Sequence, residues 1–394
     1  MAKRKKKLNK VLAIICAISF FAVGFIGCAI GKSYIFGTES YVIPEAETAT
    51  KSISAGSIDI DLIKEEDLSI HFIELGNKYT GDCTFIKVGE TEILIDAGSR
   101  ASSVKPISDY ISQYIEGDLD YVIVTHAHQD HYAGFATNEG TDSLFDIFTT
   151  ETIIKFSQSN QKETAKLYSN FNREVSETKT KNGTNVYDAL QCYNNEAGAQ
   201  RVYDLGNNVE LQILYHEYYE KEAHSENDYS VSCMINQNDE NYYLFTGDLE
   251  AEGEESLVNE YKSEYGTDLP KMKLYKAGHH GSKTSSSKTL LDVIQPEIVC
   301  VCCCAGSSEY TKTQANQFPT QAFIDRIAEH TPNVYVTTMC LDYNKGSFQS
   351  MNGNIVVAAS VSEEVSVYCA NNALVLKDTE WFKQNRKMPE SWAS

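Results

Sequence analysis

Short apolar runs alternate with amphipathic stretches from residue 68 to about residue 360. Three β-rich runs, "LSIHFIELG", "CTFIKVG" and "TEILIDAG", precede an amphipathic helix near "VKPISDYISQYI" and a strand at "DYVIVT". The middle, Glu139 to Arg201, is mostly polar and helical in propensity, and strands resume at "NVELQILYH", "YSVSCMIN" and "NYYLFTGD". A second half continues through "MKLYKAGHHGS", "SKTLLDVI", "EIVCVCCC", "QAFIDRIAEH", "NVYVTT" and "GNIVVAAS". This order predicts an α/β fold in which helices cover two mixed sheets.

The N-terminus has a different pattern. A tip with six Lys and Arg precedes 20 uncharged residues, "VLAIICAISFFAVGFIGCAI", which are enough to cross a bilayer. The positive-inside rule predicts a single-pass membrane anchor with everything after Lys32 outside the cytoplasm. Two alternatives stay open, because "FIGC" resembles a lipoprotein cleavage site and "AIG" suits an ordinary signal peptidase, which would release a secreted protein.

These patterns divide the chain into four segments. We predict a basic tip and membrane anchor at 1–31, an extracytoplasmic tether at 32–67, one large domain at 68–360 and a C-terminal extension at 361–394. The tether is rich in Ser, Thr, Ala and acidic residues and has no sustained helical period.

Charge and cysteine content narrow the possible functions. The chain has 55 acidic and 34 basic residues, a net charge of -21. The electric field of this negative charge repels polyanions, so it counts against tight, nonspecific binding to nucleic acid, which needs a basic surface.

The 11 cysteines include the run "CVCCC", which is a poor disulfide framework. We predict that these cysteines are small buried side chains on an inner strand.

Three predicted strands end in candidate metal ligands. "THAHQDHYAG" follows the strand "DYVIV", "FTGDLE" ends a second strand, and "AGHHGS" ends a third. Alternating ligands suit a loop better than a helix, because positions i and i+2 of a helix point to opposite sides. Gly247 permits a turn before Asp248. Buried histidines and carboxylates are costly to desolvate without a cation, so the pattern predicts a divalent metal site.

The same residues resemble the metallo-β-lactamase fold superfamily. Its first metal motif has the form H-x-H-x-D-H and is matched in full from His126 to His131. "LIDAG" with Asp96 is similar to an early structural aspartate motif, "TGD" to a bridging-ligand motif and "GHHGS" to a last ligand motif. The last two motifs are similar to the hydrolase domain of ComEC-type DNA-uptake proteins and to a choline-phosphate esterase of teichoic acids. The resemblance covers Leu68 to about Ser360.

The resemblance implies an αββα sandwich with a two-metal site between its sheets. It implies two divalent ions, Zn²⁺ or Mn²⁺, and a water made nucleophilic near neutral pH. The implied ligands are one of the two adjacent histidines, with His280 favoured, together with His126, His128, Asp130, His131 and Asp248. His279 would then face the substrate as a donor or acid, and Asp130 is also a candidate catalytic group.

One departure concerns a further histidine ligand of many superfamily members. Its place, around "ENDYS", holds Asn227 and Ser230, which leaves the first metal open to water and substrate. His216 and His224 lie nearby, and we expect both on the surface.

Candidate substrate contacts surround the last motif. They are Asn227, Ser282 and Lys276, the last within a group of lysines at 273, 276, 283 and 288 that is predicted to form a phosphate-facing rim. Asp82, in "TGDC", is a candidate turn residue or outer partner of the site.

The sequence therefore predicts a membrane-anchored, extracytoplasmic metal-dependent hydrolase of phosphoester bonds. External DNA and cell-wall phosphodiester or phosphocholine ester are the candidate substrates, the N-terminal helix would contact the membrane, and no protein partner is inferred. The alternatives are a noncatalytic, metal-stabilised binding or scaffolding module and a β-lactamase-like acyl hydrolase.

Overall fold

A computed structural model describes residues 55–136, 140–360 and 365–393, which form two large mixed β-sheets. The strands of the described residues are β1 Ala55–Ser57, β2 Leu68–Phe72, β3 Thr84–Val88, β4 Thr91–Ile95, β5 Asp118–Val124, β6 Thr149–Lys155, β7 Asn185–Asp188, β8 Val202–Asp204, β9 Val209–Leu214, β10 Ser232–Gln237, β11 Asn241–Phe245, β12 Leu274–Lys276, β13 Ile298–Ala305, β14 Val334–Asp342, β15 Ser347–Ser350, β16 Ile355–Ala359 and β17 Ser366–Cys369. One sheet has the order β1-β17-β16-β2-β3-β4-β5-β6-β7, and the other has the order β15-β14-β13-β12-β11-β10-β9-β8.

Helices connect the strands and cover the sheets. The α-helices of the described residues are α1 Ile60–Lys64, α2 Val104–Ile111, α3 Gln129–Tyr132, α4 Leu144–Ile147, α5 Lys166–Asn182, α6 Ala189–Asn194, α7 Ala251–Tyr265, α8 Lys288–Ile294, α9 Gln321–Ile327 and α10 Glu380–Asn385. Strand β13 shows the layering, because Cys300 and Cys302 join the core between the sheets, whereas Val299 and Val301 pack with residues of α7, α8 and α9. The α/β sandwich predicted from the sequence is therefore confirmed.

The cysteine-rich run forms the inner strand β13. All eight residues of β13 are buried, and its neighbours on both sides are strands of the same sheet. The four cysteines Cys300, Cys302, Cys303 and Cys304 are free thiols. They fill the two faces of the strand as small apolar side chains, as predicted.

The middle of the chain contains two strands where the sequence pattern favoured helix. β6 and β7 extend the first sheet beyond β5, with Ile153 paired to Val122 and to Val186. Burial of Ile153 and Ile154 stabilises β6, whereas the flanking polar residues conceal it in the sequence. Helix α5 accounts for the helical propensity of this region.

Both ends of the predicted domain extend further than 68–360. β1, from the predicted tether, pairs in parallel with β17, from the predicted C-terminal extension. Trp381, Phe382 and Trp392 are buried in the core on the outer side of the second sheet. The predicted membrane anchor, 1–31, lies outside the described residues. Within the described residues, no helix is both long and apolar enough to cross a membrane.

Candidate metal centre

The candidate ligands lie where neighbouring strands of the two sheets end. In the first sheet, β4 and β5 are parallel neighbours, and they lead into the Asp96 loop and the His126–His131 loop. In the second sheet, β11 and β12 are parallel neighbours, and they lead into the Asp248 loop and the Gly278–Gly281 turn. Parallel strands present their carboxyl ends at one edge of a sheet, so four separate segments meet at one place.

The histidines of the first motif contact one another. Nε2 of His126 lies 3.0 Å from Nδ1 of His128, and the ring of His126 lies 4.2 Å from that of His131. His126 and His131 are fully buried. The three imidazoles of this loop therefore form a single cluster.

The carboxylate of Asp248 lies at the middle of the cluster. Its Oδ2 atom is 3.2 Å from Nε2 of His131, 3.4 Å from Nε2 of His280 and 3.9 Å from Nε2 of His279. Gly247, which precedes it, has a φ of +53°, and an added Cβ would lie 2.9 Å from side-chain atoms of Ser230 and Thr125. The turn that delivers Asp248 therefore requires glycine.

Hydrogen bonds define which nitrogen of His131 and His280 faces the centre. Nδ1 of His131 lies 2.7 Å from Oδ2 of Asp96, and Nδ1 of His280 lies 2.9 Å from the carbonyl oxygen of Cys302. Both oxygens accept, so each Nδ1 carries a proton and each Nε2 faces the centre, where it would bind a metal after losing its own proton. The backbone N–H and hydroxyl of Thr125 also donate to Asp96, which fixes the carboxylate behind His131. This outer hydrogen bonding is typical of histidines that bind a metal through Nε2.

Several polar atoms at the centre have no hydrogen-bond partner among the described residues. They include Nε2 of His131, Nε2 of His280 and Oδ1 of Asp248, all buried. Buried polar atoms without partners are costly, and here the two imidazole nitrogens lie 3.2 Å and 3.4 Å from the other oxygen of the same carboxylate, Oδ2. This donor set fits a divalent cation.

The electrostatics show the same requirement for positive charge. Burial would lower the pKa of His131, but Asp248 and Asp96 raise it well above its ordinary value. Burial likewise opposes protonation of His280, but Asp248 and Asp82 raise the pKa of His280 to about 10. Burial would raise the pKa of Asp248, whereas His131 and His280 hold it well below its ordinary value. Without a metal, protons on the imidazoles balance the carboxylates, so we expect metal binding to release protons.

The two adjacent histidines differ in burial and partners. His280 is fully buried, and its Nε2 lies 3.4 Å from Oδ2 of Asp130 as well as from Asp248. The side chain of His279 is 22% exposed, and its Nδ1 lies 3.1 Å from the hydroxyl of Thr284 and 3.5 Å from Oε1 of Glu250. This geometry favours His280 over His279 as a ligand and leaves His279 at the open side, and the binding of metal by His280 stays a prediction.

The chain is similar in sequence to a known protein family and to known proteins of two bacteria. A family model described as the metallo-beta-lactamase superfamily matches residues 76–137, which contain the first motif. The chain is 41% identical over 87 residues to "Competence protein ComA" of Neisseria gonorrhoeae, a match covering 22% of this chain and 11% of that protein. It is 37% identical over 75 residues to "Recombination protein 2" of Haemophilus influenzae, covering 19% of this chain and 8% of that protein.

The chain is thus similar to the metallo-β-lactamase superfamily over residues 76–137. Its resemblance to the competence-protein branch of the superfamily is confirmed by the same matches. Each match spans about a tenth of the length of these relatives. Among solved structures, the metallo-beta-lactamase fold protein YhfI from Bacillus subtilis aligns with 72% of this chain and 99% of its own chain at 9% identity and a TM-score of 0.38. The superfamily match lies over the first motif, and the buried cluster of Asp82, His131, Asp248 and His280 has the ligand types of a divalent-metal site.

Lys276 does not form part of an exposed rim. It is 3% exposed, and its ammonium group is paired with the carboxylate of Asp82. Lys273 and Lys288 lie on the surface side and pair with acidic residues, Lys273 with Glu297 and Lys288 with Asp292 and Glu329. The predicted place of Lys276 in a phosphate-facing rim is therefore wrong, because strand alternation turns Lys276 inward on the same side as Leu274, which lies in the core between the sheets. Lys283 is exposed, and its part in such a rim stays a prediction.

The other predicted contacts have mixed outcomes. Asn227 is buried, and its Nδ2 donates to Oε1 of Glu250 at 3.1 Å and lies 3.3 Å from Nδ1 of His279. Ser282 is buried, and its hydroxyl lies 3.1 Å from that of Thr284. Asn227 is thus beside the centre, whereas Ser282 supports the loop after His280.

The two histidines near the gap in the ligand set, His216 and His224, differ in burial. His224 is exposed as expected, but the expectation of a surface position was wrong for His216, which is fully buried. Nε2 of His216 donates to the carbonyl oxygen of Ser230 at 2.8 Å. Packing against Tyr219 encloses the ring, so His216 supports the Ser230 segment.

Two residues of the centre, Tyr310 and Glu250, were not predicted from the sequence, and a third, Asp82, was predicted only as a turn residue or outer partner. Asp82 lies within the cluster, and one ligand-type atom from each of Asp82, His131, Asp248 and His280 falls within 4.8 Å of the others. Tyr310 donates its hydroxyl to Oδ2 of Asp130 at 2.6 Å, and Glu250 contacts His279. The tyrosine lies in a loop without regular pattern, 180 positions after Asp130, so no local signal identifies it.

Proposed function

We propose that this protein is a two-metal phosphoesterase that acts outside the cytoplasm. The observation that carries the proposal is the convergence of buried, unpartnered Nε2 atoms of His131 and His280 on the carboxylate of Asp248. A divalent cation is the partner that satisfies all three atoms at once. The two carboxylates and four imidazoles of the predicted ligand set suit both Zn²⁺ and Mn²⁺.

Each side chain has a proposed part in the reaction. His126, His128 and Asp248 would hold one ion, and the second would be held by Asp130, His131, Asp248 and His280. Bound divalent ions lower the pKa of water and withdraw charge from phosphoryl oxygens. His279, at the open side, would donate a hydrogen bond or proton to the substrate, with Asn227 and Glu250 fixing its ring.

The substrate is a phosphodiester or phosphomonoester in this proposal. Similarity to a competence protein supports DNA, and an extracytoplasmic location suits both DNA and cell-wall phosphoesters. The net charge of -21 opposes broad binding to long nucleic acid, so we expect a short stretch of substrate to be recognised. Parallel assays on single-stranded DNA, teichoic acid and phosphocholine esters would distinguish these classes.

Reconstitution of the purified full chain tests the proposal. With Zn²⁺ or Mn²⁺ we expect close to two metal equivalents and hydrolysis of bis(p-nitrophenyl) phosphate that a chelator abolishes. Asp248→Ala should reduce both metal content and rate, the rate by more than about 100-fold, because Asp248 is the one proposed ligand that both ions would share. Asp268→Ala, which removes an exposed carboxylate paired with Lys262, is the matched control.

Two results would contradict the proposal. A wild-type chain that binds no metal would remove its basis. A chain that binds metal but hydrolyses only lactams or acyl esters would be an acyl hydrolase, and one that hydrolyses neither class would be a metal-stabilised binding module.

The proposed location has its own test. The basic tip and uncharged run predict that the domain is exposed outside the membrane. Protease added to intact cells with a permeable wall should then remove the domain. Complete protection from the protease would contradict the external location and leave the catalytic proposal intact.

A further inference from the structure

A buried ion pair joins the two sheets beneath the candidate metal centre. Asp82 comes from the loop before β3 in one sheet, and Lys276 is the last residue of β12 in the other. Their side chains are in direct contact, and the residues are only 2% and 3% exposed. Burying two charges costs roughly as much as their attraction returns, so such a pair contributes little net stability. Net stabilisation of the fold is therefore a poor explanation for the Asp82–Lys276 pair.

The carboxylate of Asp82 also faces a predicted ligand. Its Oδ1 atom lies 3.0 Å from Nδ1 of His280, and its Oδ2 atom lies 3.8 Å from Nδ1 of His131. Nδ1 of His280 carries a proton that the Cys302 carbonyl accepts, and Oδ1 of Asp82 lies beside this bond as a charge partner. Asp82 thus lies behind the imidazole of His280, on the side away from Nε2. Although its oxygens are close to the ligand atoms, Asp82 contacts a ligand and would not bind the metal itself.

The backbone of Asp82 connects the pair to the other ligand loops. Its N–H donates to the carbonyl of Asp130 at 3.0 Å, and its carbonyl accepts from the N–H of Gly98 at 2.7 Å. Asp82 is therefore bound to the Asp130 loop and the Asp96 loop of its own sheet. Through Lys276 and His280 it contacts the opposite sheet.

We propose that Asp82 and Lys276 are positioning residues that hold His280 of one sheet in register with Asp130 and His131 of the other, so that the second metal position depends on this pair. Lys276 fixes and neutralises one oxygen of Asp82, and the other oxygen fixes the imidazole ring. The inference rests on the proposed two-metal function and adds a role for two side chains that would not touch the metal. It also replaces the predicted role of Lys276 as a substrate contact.

Substitutions of Asp82 and Lys276 can distinguish an effect on stability from an effect on metal binding. Lys276→Met leaves an unpaired carboxylate in the interior, and Asp82→Asn leaves an unpaired ammonium group. Either change should lower the thermal midpoint of the metal-free protein, because one buried charge loses its partner. The double variant Asp82→Asn with Lys276→Met removes both charges, so its midpoint should return toward that of the wild type.

The decisive measurement is a Co²⁺ titration of the full chain, followed by visible absorption. We expect both single variants and the double variant to lose about 10- to 100-fold in affinity for one of the two Co²⁺ equivalents, with a changed absorption band for that ion. The other equivalent should keep its affinity. Lys273→Met, which removes a half-buried lysine paired with Glu297, is the matched control and should bind both ions normally.

The outcomes separate the two proposals. If the double variant regains both its thermal midpoint and its Co²⁺ affinity, or if the single variants bind both ions as the wild type does, the pair is an ordinary structural ion pair and the inference is overturned. If the wild-type chain binds no Co²⁺, the proposed function fails, and this inference fails with it.

Discussion

At the scale of single residues, two adjacent histidines have different surroundings. His279 and His280 have φ values of +48° and +55°, a region that non-glycine residues rarely adopt. Such strain costs free energy and is retained mainly at functional sites. Here it turns His280 toward Asp130 and Asp248 and directs His279 toward Glu250 and Thr284.

The two histidines should therefore respond differently to substitution. His280→Ala should lose about one metal equivalent, because its Nε2 lies among the predicted ligands. His279→Ala should keep both equivalents and lower kcat by about 100-fold, as expected for loss of a positioned donor. Metal analysis and steady-state kinetics of both variants check this prediction. The reverse pattern would assign the ligand to His279.

Tyr310 provides a second prediction at this scale. Its hydroxyl donates to Asp130, and its ring lies 5.7 Å from that of Phe318. Tyr310→Phe removes the hydrogen bond and keeps the ring, so we expect metal affinity to fall by about tenfold with an unchanged fold. Tyr193→Phe, which removes a comparable bond to Glu264 on the surface, is the control. Equal metal affinities in the two variants would contradict a role for Tyr310.

At the scale of elements, the loops after β4 and β5 pack directly on each other. The N–H of Gly134 donates to the carbonyl of Ala97 at 3.0 Å, and Ala97 accepts that bond next to Asp96. The N–H of Ala97 also donates to the carbonyl of His131 at 2.7 Å, so two backbone bonds join the loops. Close backbone contact is what brings the structural aspartate within reach of His131.

Gly134→Ala tests this contact. A Cβ at this position would lie 2.4 Å from the carbonyl oxygen of Ala97, so one loop must shift. We expect a loss of about 1–3 kcal/mol in the free energy of unfolding, measured with denaturant, together with weaker metal binding. Gly56→Ala is the control, because its Cβ would make only an ordinary 3.6 Å contact with Tyr368. Similar effects of both substitutions would show that the loop contact has no special importance.

At the scale of the whole molecule, two buried histidines away from the centre link stability to pH. Burial, aided by Lys87, lowers the pKa of His71 to about 3, and burial lowers the pKa of His216 to about 4. Each pKa is depressed relative to an unfolded value of about 6.5. Their contribution to stability is therefore complete above pH 6.5 and is lost as the pH falls toward 4 and 3.

The metal-free protein should accordingly become less stable between pH 6.5 and pH 4. For each histidine, the equilibrium constant for folding should fall by up to tenfold per pH unit. His71→Phe should reduce this dependence on pH, whereas His224→Gln, at an exposed position, should leave it unchanged. Urea titrations at several pH values measure the effect. An identical pH dependence in His71→Phe and the wild type would contradict the assignment.

The sequence alone determined the features that depend on local pattern. The alternation of apolar runs and amphipathic segments predicted two sheets covered by helices, since burial of one face leaves a period in the sequence. Ligand-type residues directly after strands predicted the centre, because parallel strands end at the same edge. The apolar "CVCCC" run was recognised as an inner strand for the same reason.

Only the tertiary structure decided the features that depend on contacts between distant segments. The pairing of Ala55–Ser57 with Ser366–Cys369, the bond from Tyr310 to Asp130 and the inward orientation of Lys276 all join parts of the chain far apart in sequence. No local period records which partner a side chain meets across two sheets. For this reason the sequence indicated the ligand-type residues after the strands, whereas only the folded chain shows that Lys276 pairs with Asp82 and that Tyr310 bonds to Asp130.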